Sequence, residues 1–442
     1  MDSRRVRAGN VFFALPGEHT DGQRFVSDAV AAGAAAVVLR DAPSEAQLEW
    51  LTGGDEPGVT VLQVTDAGAA LLAAARAWRS RWEPLVVGVT GSLAKTSTKE
   101  QVAGVLAERW TTLRSEGNEN NEIGLPLTLL RLGPEHAAAV VEMGLYVPGE
   151  IALLARVARP AIGVVTAVRG VHLTRAGSLD AIEAGKRELV EALPATGTAV
   201  LNVDDARVSR MREHTSARIL GYGFAAAADV SAEEVEALGI EGMRFVLRLP
   251  GERVEVVTPA LGRHSVHNAL AAAAVGLAAG LDATTIARGL GRGWSAPHRS
   301  SLIHAGSWRI LDDSYNASPD SMRAALDLLG TLPGRRVAVL GEMLELGGET
   351  SEAHRSVGAQ AAAVADRLVV VGEAAATIAA GALDAGMEPG RVVVAADRPT
   401  ALARLLEDHR PGDTLLVKAS RGAQLDLLVE ALLRATGDGV AA

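Results

Sequence analysis

The pattern of apolar and polar positions predicts short buried strands alternating with helices. Near the N-terminus, residues 11–15, 35–39 and 59–64 are strand-like apolar runs, and residues 24–33 and 67–82 repeat apolar positions at helical spacing. Pro84 interrupts this pattern, and residues 85–89 form a buried-strand run that leads into a glycine turn and a helix. Further runs at 138–142, 161–165 and 199–203 alternate with helical stretches, which predicts a mostly parallel sheet flanked by helices. Residues 222–258 read as strands and turns inserted before an alanine-rich helix at 267–280. Residues 291–300, rich in Gly, Ser, Pro and Arg, read as a linker. Beyond it, strands are expected at 308–312, 336–340, 367–371, 391–395 and 414–418, with helices between. Three α/β domains result, with boundaries at 1–84, 85–296 and 297–442.

Composition narrows the function classes. The 442 residues are 48% hydrophobic and 22% charged, an ordinary globular balance. A net charge of −10 argues against a general nucleic-acid binder or an anionic membrane surface. The longest nearly apolar run, residues 269–281, is too short to span a bilayer. Without cysteine there is no disulfide scaffold, Cys-ligated metal or thiol catalysis. Residues 1–5 lack the apolar stretch of a secretory leader behind them, and a cytoplasmic protein is expected.

Lysine is scarce: 4 of the 43 basic residues, at Lys95, Lys99, Lys186 and Lys418. In a chain that uses arginine for generic positive charge, the surviving lysines are enriched for positions where a guanidinium cannot substitute. Drift on an exposed surface is the plainer alternative.

Gly88-Val89-Thr90-Gly91-Ser92-Leu93-Ala94-Lys95-Thr96-Ser97 follows a strand and opens a helix. It approximates G-x-x-x-x-G-K-[ST], with Ala94 in place of the last glycine. In such a loop the amides of residues 91–97 hold phosphate oxygens, Lys95 reaches the β/γ-phosphates and the Thr96 hydroxyl completes a Mg²⁺ shell. Ala94 is expected at negative φ, as a first-turn helical residue. A Gly/Ser turn capping a helix is the bland reading.

Residues 116–128 place three of the seven asparagines, Asn118, Asn120 and Asn121, within four positions. Such a tract makes turns, and its amides can also read sugar hydroxyls, phosphates and peptide groups. With this tract the chain resembles the Mur ligase family of ATP-dependent amide-forming enzymes of peptidoglycan synthesis. The resemblance runs along essentially the whole chain. It is carried by Asp2-Ser3-Arg4 with residues 11–18, the loop 90–98, the tract 117–130, Val141-Glu142-Met143-Gly144 and His172 with Gly177-Ser178. Residues 184–188, His267-Asn268-Ala269, 312–319, 339–347 and 418–422 carry it further. The Asn-rich loop, the Tyr315-Asn316-Ala317 tract and the Gly341–Gly347 tract resemble the member that joins D-alanyl-D-alanine to UDP-N-acetylmuramoyl-tripeptide through an acyl phosphate.

The resemblance implies a fold and a set of roles. The fold is a small N-terminal α/β domain that binds the UDP-sugar, a central P-loop parallel-sheet ATPase domain and a C-terminal Rossmann-like ligase domain. Lys95, Lys186 and His172 are the implied catalytic residues. Thr96, Glu142, His172 and Lys186 are the implied Mg²⁺ ligands, Lys186 as a carbamate derived from CO₂. Residues 91–97 with Asn268, Arg299, Asp313 and Asn316 are the implied ATP site, Asn268 reading adenine from the start of its helix. Ser3, Asn118, Asn120, Asn121, Tyr315 and Arg421 are expected at the substrates. The implied partners are those two small molecules, with no nucleic acid and no membrane insertion, for a monomer.

Three features depart from the family pattern. Ala94 replaces a loop glycine, and His298 stands where the family has glycine beside Arg299. Family members carry a further strand and helix before the Asp2-Ser3-Arg4 tract, which implies a late start or a shortened nucleotide-sugar domain. Two other readings stand beside the first: another Mur-type, folylpolyglutamate or cyanophycin-type ligase, and a nucleotide-binding regulator that forms no bond.

Overall fold

A computed structural model describes residues 2–17, 20–44, 47, 51, 58–170, 177–293 and 296–437. Four sheets organise them. The first has three parallel strands, Val11–Phe13, Ala36–Leu39 and Thr60–Gln63. The expected helix at 24–33 is shorter, a 3-10 turn Gly22–Phe25 running into the helix Val26–Ala31 and stopped at Gly33 with φ +93°. The helix Ala67–Arg79 begins at Asp66, whose carboxylate caps the amides of Gly68 and Ala69.

The central sheet is all parallel. Its strands lie in the order Thr112–Arg114, Ala138–Glu142, Leu85–Thr90, Ile162–Val165, Thr198–Asn202, Arg218–Tyr222. The strand Leu85–Thr90 is therefore flanked by strands that follow it on opposite sides. That is the switch point at which open α/β sheets leave a crevice beyond their carboxyl ends. The helix Lys95–Leu106 is buried on nearly every side although Thr98, Lys99, Glu100 and Gln101 lie within it. It packs against the helices Arg263–Ala278 and Ala283–Gly291, where a Cβ at Gly276 or Gly289 would come within 3.0 Å of Val105. The inserted segment forms an antiparallel sheet of Ser231–Ala237, Met243–Leu249 and Glu252–Thr258. The alanine-rich helix begins at Arg263, four residues earlier than expected, so Asn268 sits in its second turn rather than at its start.

The last sheet runs Ser301–Ala305, Trp308–Asp312, Thr414–Lys418, Arg336–Leu340, Arg367–Val371, Val392–Ala395, with only the first pair antiparallel. The hairpin strand Ser301–Ala305 has too little apolar alternation to be read from the sequence. Leu261, just before the helix Arg263–Ala278, packs into the core of this last unit with Leu311, Met322 and Leu326. Among the described residues no helix is long and apolar enough to cross a membrane.

Candidate active site

The turn after Leu85–Thr90 is stapled to the strand end beside it. Ser92 N–H donates to the Ala167 carbonyl at 2.7 Å, the Arg169 amide donates to Ser92 Oγ at 2.9 Å, and Ser92 Oγ donates to the Arg169 carbonyl at 3.0 Å. Thr166 Oγ1 donates to the Leu93 carbonyl at 2.6 Å. Gly91 is obligatory: its φ is +151°, and a Cβ there would lie 1.8 Å from Thr166 Oγ1. Lys95 arches back and donates to the Gly91 carbonyl at 2.8 Å. Thr96 is buried and Ser97 half-buried on the first helical turn.

Ala94 does not take the expected conformation. It is the residue before the helix, with φ +62° and ψ +6°, in the left-handed region. The loop needs that geometry to turn its amides inward, which is why glycine suits the position and why alanine is strained there. His298 and Ser300 likewise have φ of +60° and +48°. His298 is held there by Nδ1 against Asp312 Oδ2 at 2.7 Å.

Glu142 ends the neighbouring strand and is 1% exposed. Its amide donates to Ser115 Oγ at 3.2 Å, and Asn120 Nδ2 donates to Oε1 at 2.8 Å. Oε2 is buried and has no hydrogen-bond donor among the described residues. A carboxylate oxygen left in that state is costly unless a cation meets it. Lys186, in the middle of the helix Leu179–Glu191, is 3% exposed and among the described residues has neither hydrogen bond nor ion pair. Burial, then the charge of Lys95, pushes its amine well below the ordinary lysine range. Lys95 itself is lowered by burial; Glu142 opposes that shift and the Arg299 charge adds to it. Lys95 thus lies within electrostatic reach of Glu142, Lys186 and Arg299.

The C-terminal unit closes one side. The Arg299 guanidinium lies over the Tyr315 ring at 4.2 Å, and Arg421 stands 5.8 Å from the same ring. Burial raises the Tyr315 phenol, the two arginines opposing it. Asp313 is not free: Lys418 Nζ donates to its Oδ2 at 2.6 Å, and Ser300 N–H donates to Oδ1 at 3.0 Å. Lys418 also donates to the Asn316 carbonyl at 2.9 Å. Arg169 links the units, pairing with Asp205 in the central one and with Asp320 of the last at 3.3 Å.

The asparagines part company. Asn120 holds Glu142. Asn121 Oδ1 accepts from the amides of Ile123 and Gly124, making it a cap for the helix Gly124–Leu129. Asn118 is exposed. Asn268 is buried, its Oδ1 3.5 Å from Thr98 Oγ1 on the phosphate-loop helix. Ser3 opens the 3-10 turn Ser3–Arg5 in the N-terminal unit, away from these residues in the chain. Arg421 pairs with Asp426. His172 lies outside the described residues, among which no cluster of three His, Cys, Asp or Glu side chains offers a complete metal site. Thr166, Arg169, Ser115 and Lys99 build the site without having been read as functional. Only Lys99 carried a signal, its place among the four lysines.

Residues 1–76 match the model of the Mur ligase family catalytic domain, 89–276 the Mur ligase middle domain and 298–421 the Mur ligase glutamate ligase domain. The UDP-N-acetylmuramoyl-tripeptide--D-alanyl-D-alanine ligase of Mycobacterium tuberculosis is 37% identical over 98% of this chain and 91% of its own. The crystal structure of MurF from Acinetobacter baumannii superposes with a TM-score of 0.86 at 30% identity, covering 98% of this chain and 92% of that one. MurF ligase from Thermotoga maritima, crystallised in complex with ADP, gives 0.84 at 25% identity over 99% of this chain and 97% of that one.

Proposed function

The chain belongs to the Mur ligase family, and on that premise we propose that it joins D-alanyl-D-alanine to UDP-N-acetylmuramoyl-tripeptide at the expense of ATP, in peptidoglycan precursor synthesis. The observation that carries this reading is that Lys95, after the central strand Leu85–Thr90, lies within electrostatic reach of both Glu142 and Lys186, in a chain similar to such ligases over nearly all its length. We assign residues 1–84 to the nucleotide-sugar, 85–296 to ATP and 297–442 to closure over both. We propose a monomer, and ATP with a UDP-linked substrate supports a cytoplasmic setting.

The tripeptide's terminal carboxylate attacks the γ-phosphorus of ATP; ADP leaves and an acyl phosphate remains. The amine of D-alanyl-D-alanine attacks the acyl carbon, phosphate leaves, and the amine's proton passes to solvent or a base. The amides of residues 91–97 and Lys95 hold the phosphoryl oxygens and neutralise charge that develops on them. Asn268, Arg299, Asp313 and Asn316 are assigned to the nucleotide, with Arg299 held over the Tyr315 ring. Tyr315 and Arg421, with Asn118 exposed nearby in sequence to the Glu142-holding loop, are assigned to the substrates, Arg421 after release from Asp426. Ser3 is assigned to the uridine end. Asn120 and Asn121 act by shaping the loop.

The donor set fits Mg²⁺. Among the described residues Glu142 Oε2 lacks a donor, Thr96 offers a hydroxyl, and the family resemblance adds His172. Lys186 fits a carbamate: a buried amine with no hydrogen bond or ion pair among the described residues, its basicity lowered by burial and by Lys95, can in its neutral form capture CO₂ and release a proton, giving an anion that Lys95 then favours. Bound there, the metal supplies Lewis-acid charge neutralisation at the transferring phosphoryl group.

Phosphate release from ATP tests the reading. Release that requires both the UDP-linked tripeptide and D-alanyl-D-alanine supports it. Release with an amino acid such as glutamate shifts the assignment to another ligase of this type, and no release with any amine leaves a nucleotide-binding regulator.

A further inference from the structure

Lys99 is completely buried on the phosphate-loop helix, one turn beyond Lys95. Its ammonium makes three contacts: to the Ser115 carbonyl at 2.6 Å, the Gly117 carbonyl at 3.0 Å and Glu100 Oε1 at 2.8 Å. Three N–H donors meet three acceptors, so the group is fully satisfied. Glu100 is in turn held by Arg114 Nε at 2.7 Å. The two carbonyls belong to the segment that leads into the Asn-rich loop. Ser115 Oγ receives the Glu142 amide, and Asn120 Nδ2 reaches Glu142 Oε1. Gly117 has φ +49° and the loop turns there, so its path depends on what its carbonyl meets.

Resting on the ligase reading above, we infer that Lys99 is a positioning residue: it ties the phosphate-loop helix to the 115–120 loop, so that Glu142 is gripped through one carboxylate oxygen while the other stays open for a cation. Lys99 touches neither substrate nor metal. Its action runs through Ser115 and Asn120. The geometry also accounts for a lysine in an arginine-rich chain. A compact ammonium can point its protons at two loop carbonyls and a neighbouring carboxylate in three directions. A planar guanidinium, larger and with its donors in one plane, cannot do so in a fully enclosed space.

The experiment compares the wild-type chain with Lys99→Met and Lys99→Arg by amide hydrogen exchange of the ligand-free protein, and by phosphate release across a Mg²⁺ titration. In both variants, amides of residues 116–120 should exchange at least tenfold faster, while those of the strand Leu85–Thr90 stay protected. The Mg²⁺ concentration for half-maximal rate should rise at least tenfold, with the KM for D-alanyl-D-alanine little changed. Asn120→Leu should raise the Mg²⁺ requirement similarly, and adding Lys99→Met to it should raise it little further. If Lys99→Met is too unstable to purify, Lys99→Arg and the Asn120→Leu pair carry the test. Unchanged loop exchange in a folded Lys99 variant, or an unchanged Mg²⁺ requirement in an active one, overturns the inference. A wild-type chain that releases no phosphate overturns the ligase reading instead, and the exchange data still decide whether Lys99 holds the loop.

Discussion

The Lys186 amine lies within electrostatic reach of the Lys95 charge, and Lys186 has no anionic partner among the described residues. An arrangement of that kind is relieved if one amine becomes an anion. Lys186→Ala is expected to lose most activity and to regain part of it with a short-chain carboxylate, whereas Lys186→Arg should be no better than alanine. Full activity of Lys186→Arg in CO₂-depleted buffer ends the carbamate assignment.

The same burial predicts a pH dependence of stability. In CO₂-free, metal-free buffer the unfolded amine binds a proton below about pH 10.4, while the folded amine resists it down to a much lower pH. The unfolded state therefore holds more protons in that window. Stability should rise with pH up to about 10.4 and be lost as pH falls toward the folded value. Melting temperatures across this range should show a shallower slope for Lys186→Met than for the wild-type chain.

Ala94→Gly should stabilise the protein. Alanine at φ +62° bears a left-handed penalty of about 1–2 kcal/mol, reduced by glycine's greater freedom when unfolded. A rise of roughly 2–4 °C in the central transition is expected in a thermal scan. A fall in Tm refutes the conformation assigned to this position.

Lys95→Ala removes the cation assigned to the transferring phosphoryl group. A loss of about 3 kcal/mol in transition-state stabilisation is expected, on the scale of a lost electrostatic donor. Steady-state kcat/KM at the wild-type level refutes that role.

Arg169 ties the phosphate loop, through Ser92, to Asp320 of the last unit. Asp320→Ala should loosen the ligand-free protein and enlarge its radius of gyration in scattering, with compaction restored by ATP and the UDP-linked substrate. An unchanged radius in the variant shows that this ion pair does not hold the units together.

The sequence by itself determined the strands that line the crevice, because fully buried runs such as 138–142 and 414–418 read as strands wherever they stand. It also determined the strand, turn and helix at 85–106, since glycines after a buried apolar run mark the turn between them. Tertiary structure decided what each polar residue does. Three asparagines within four positions look alike in sequence, yet Asn120 holds a carboxylate, Asn121 caps a helix and Asn118 faces solvent. Four lysines look alike as well. Lys99 and Lys418 meet fixed carbonyls and carboxylates, whereas Lys186 meets none among the described residues. Ala94 was expected at negative φ and lies at positive φ because the loop is drawn to residues 166–169, contacts more than seventy positions away in the chain. Local pattern reports burial and propensity. The partner of a buried polar group is set by which strands pair, and pairing is a non-local choice that composition and spacing leave open.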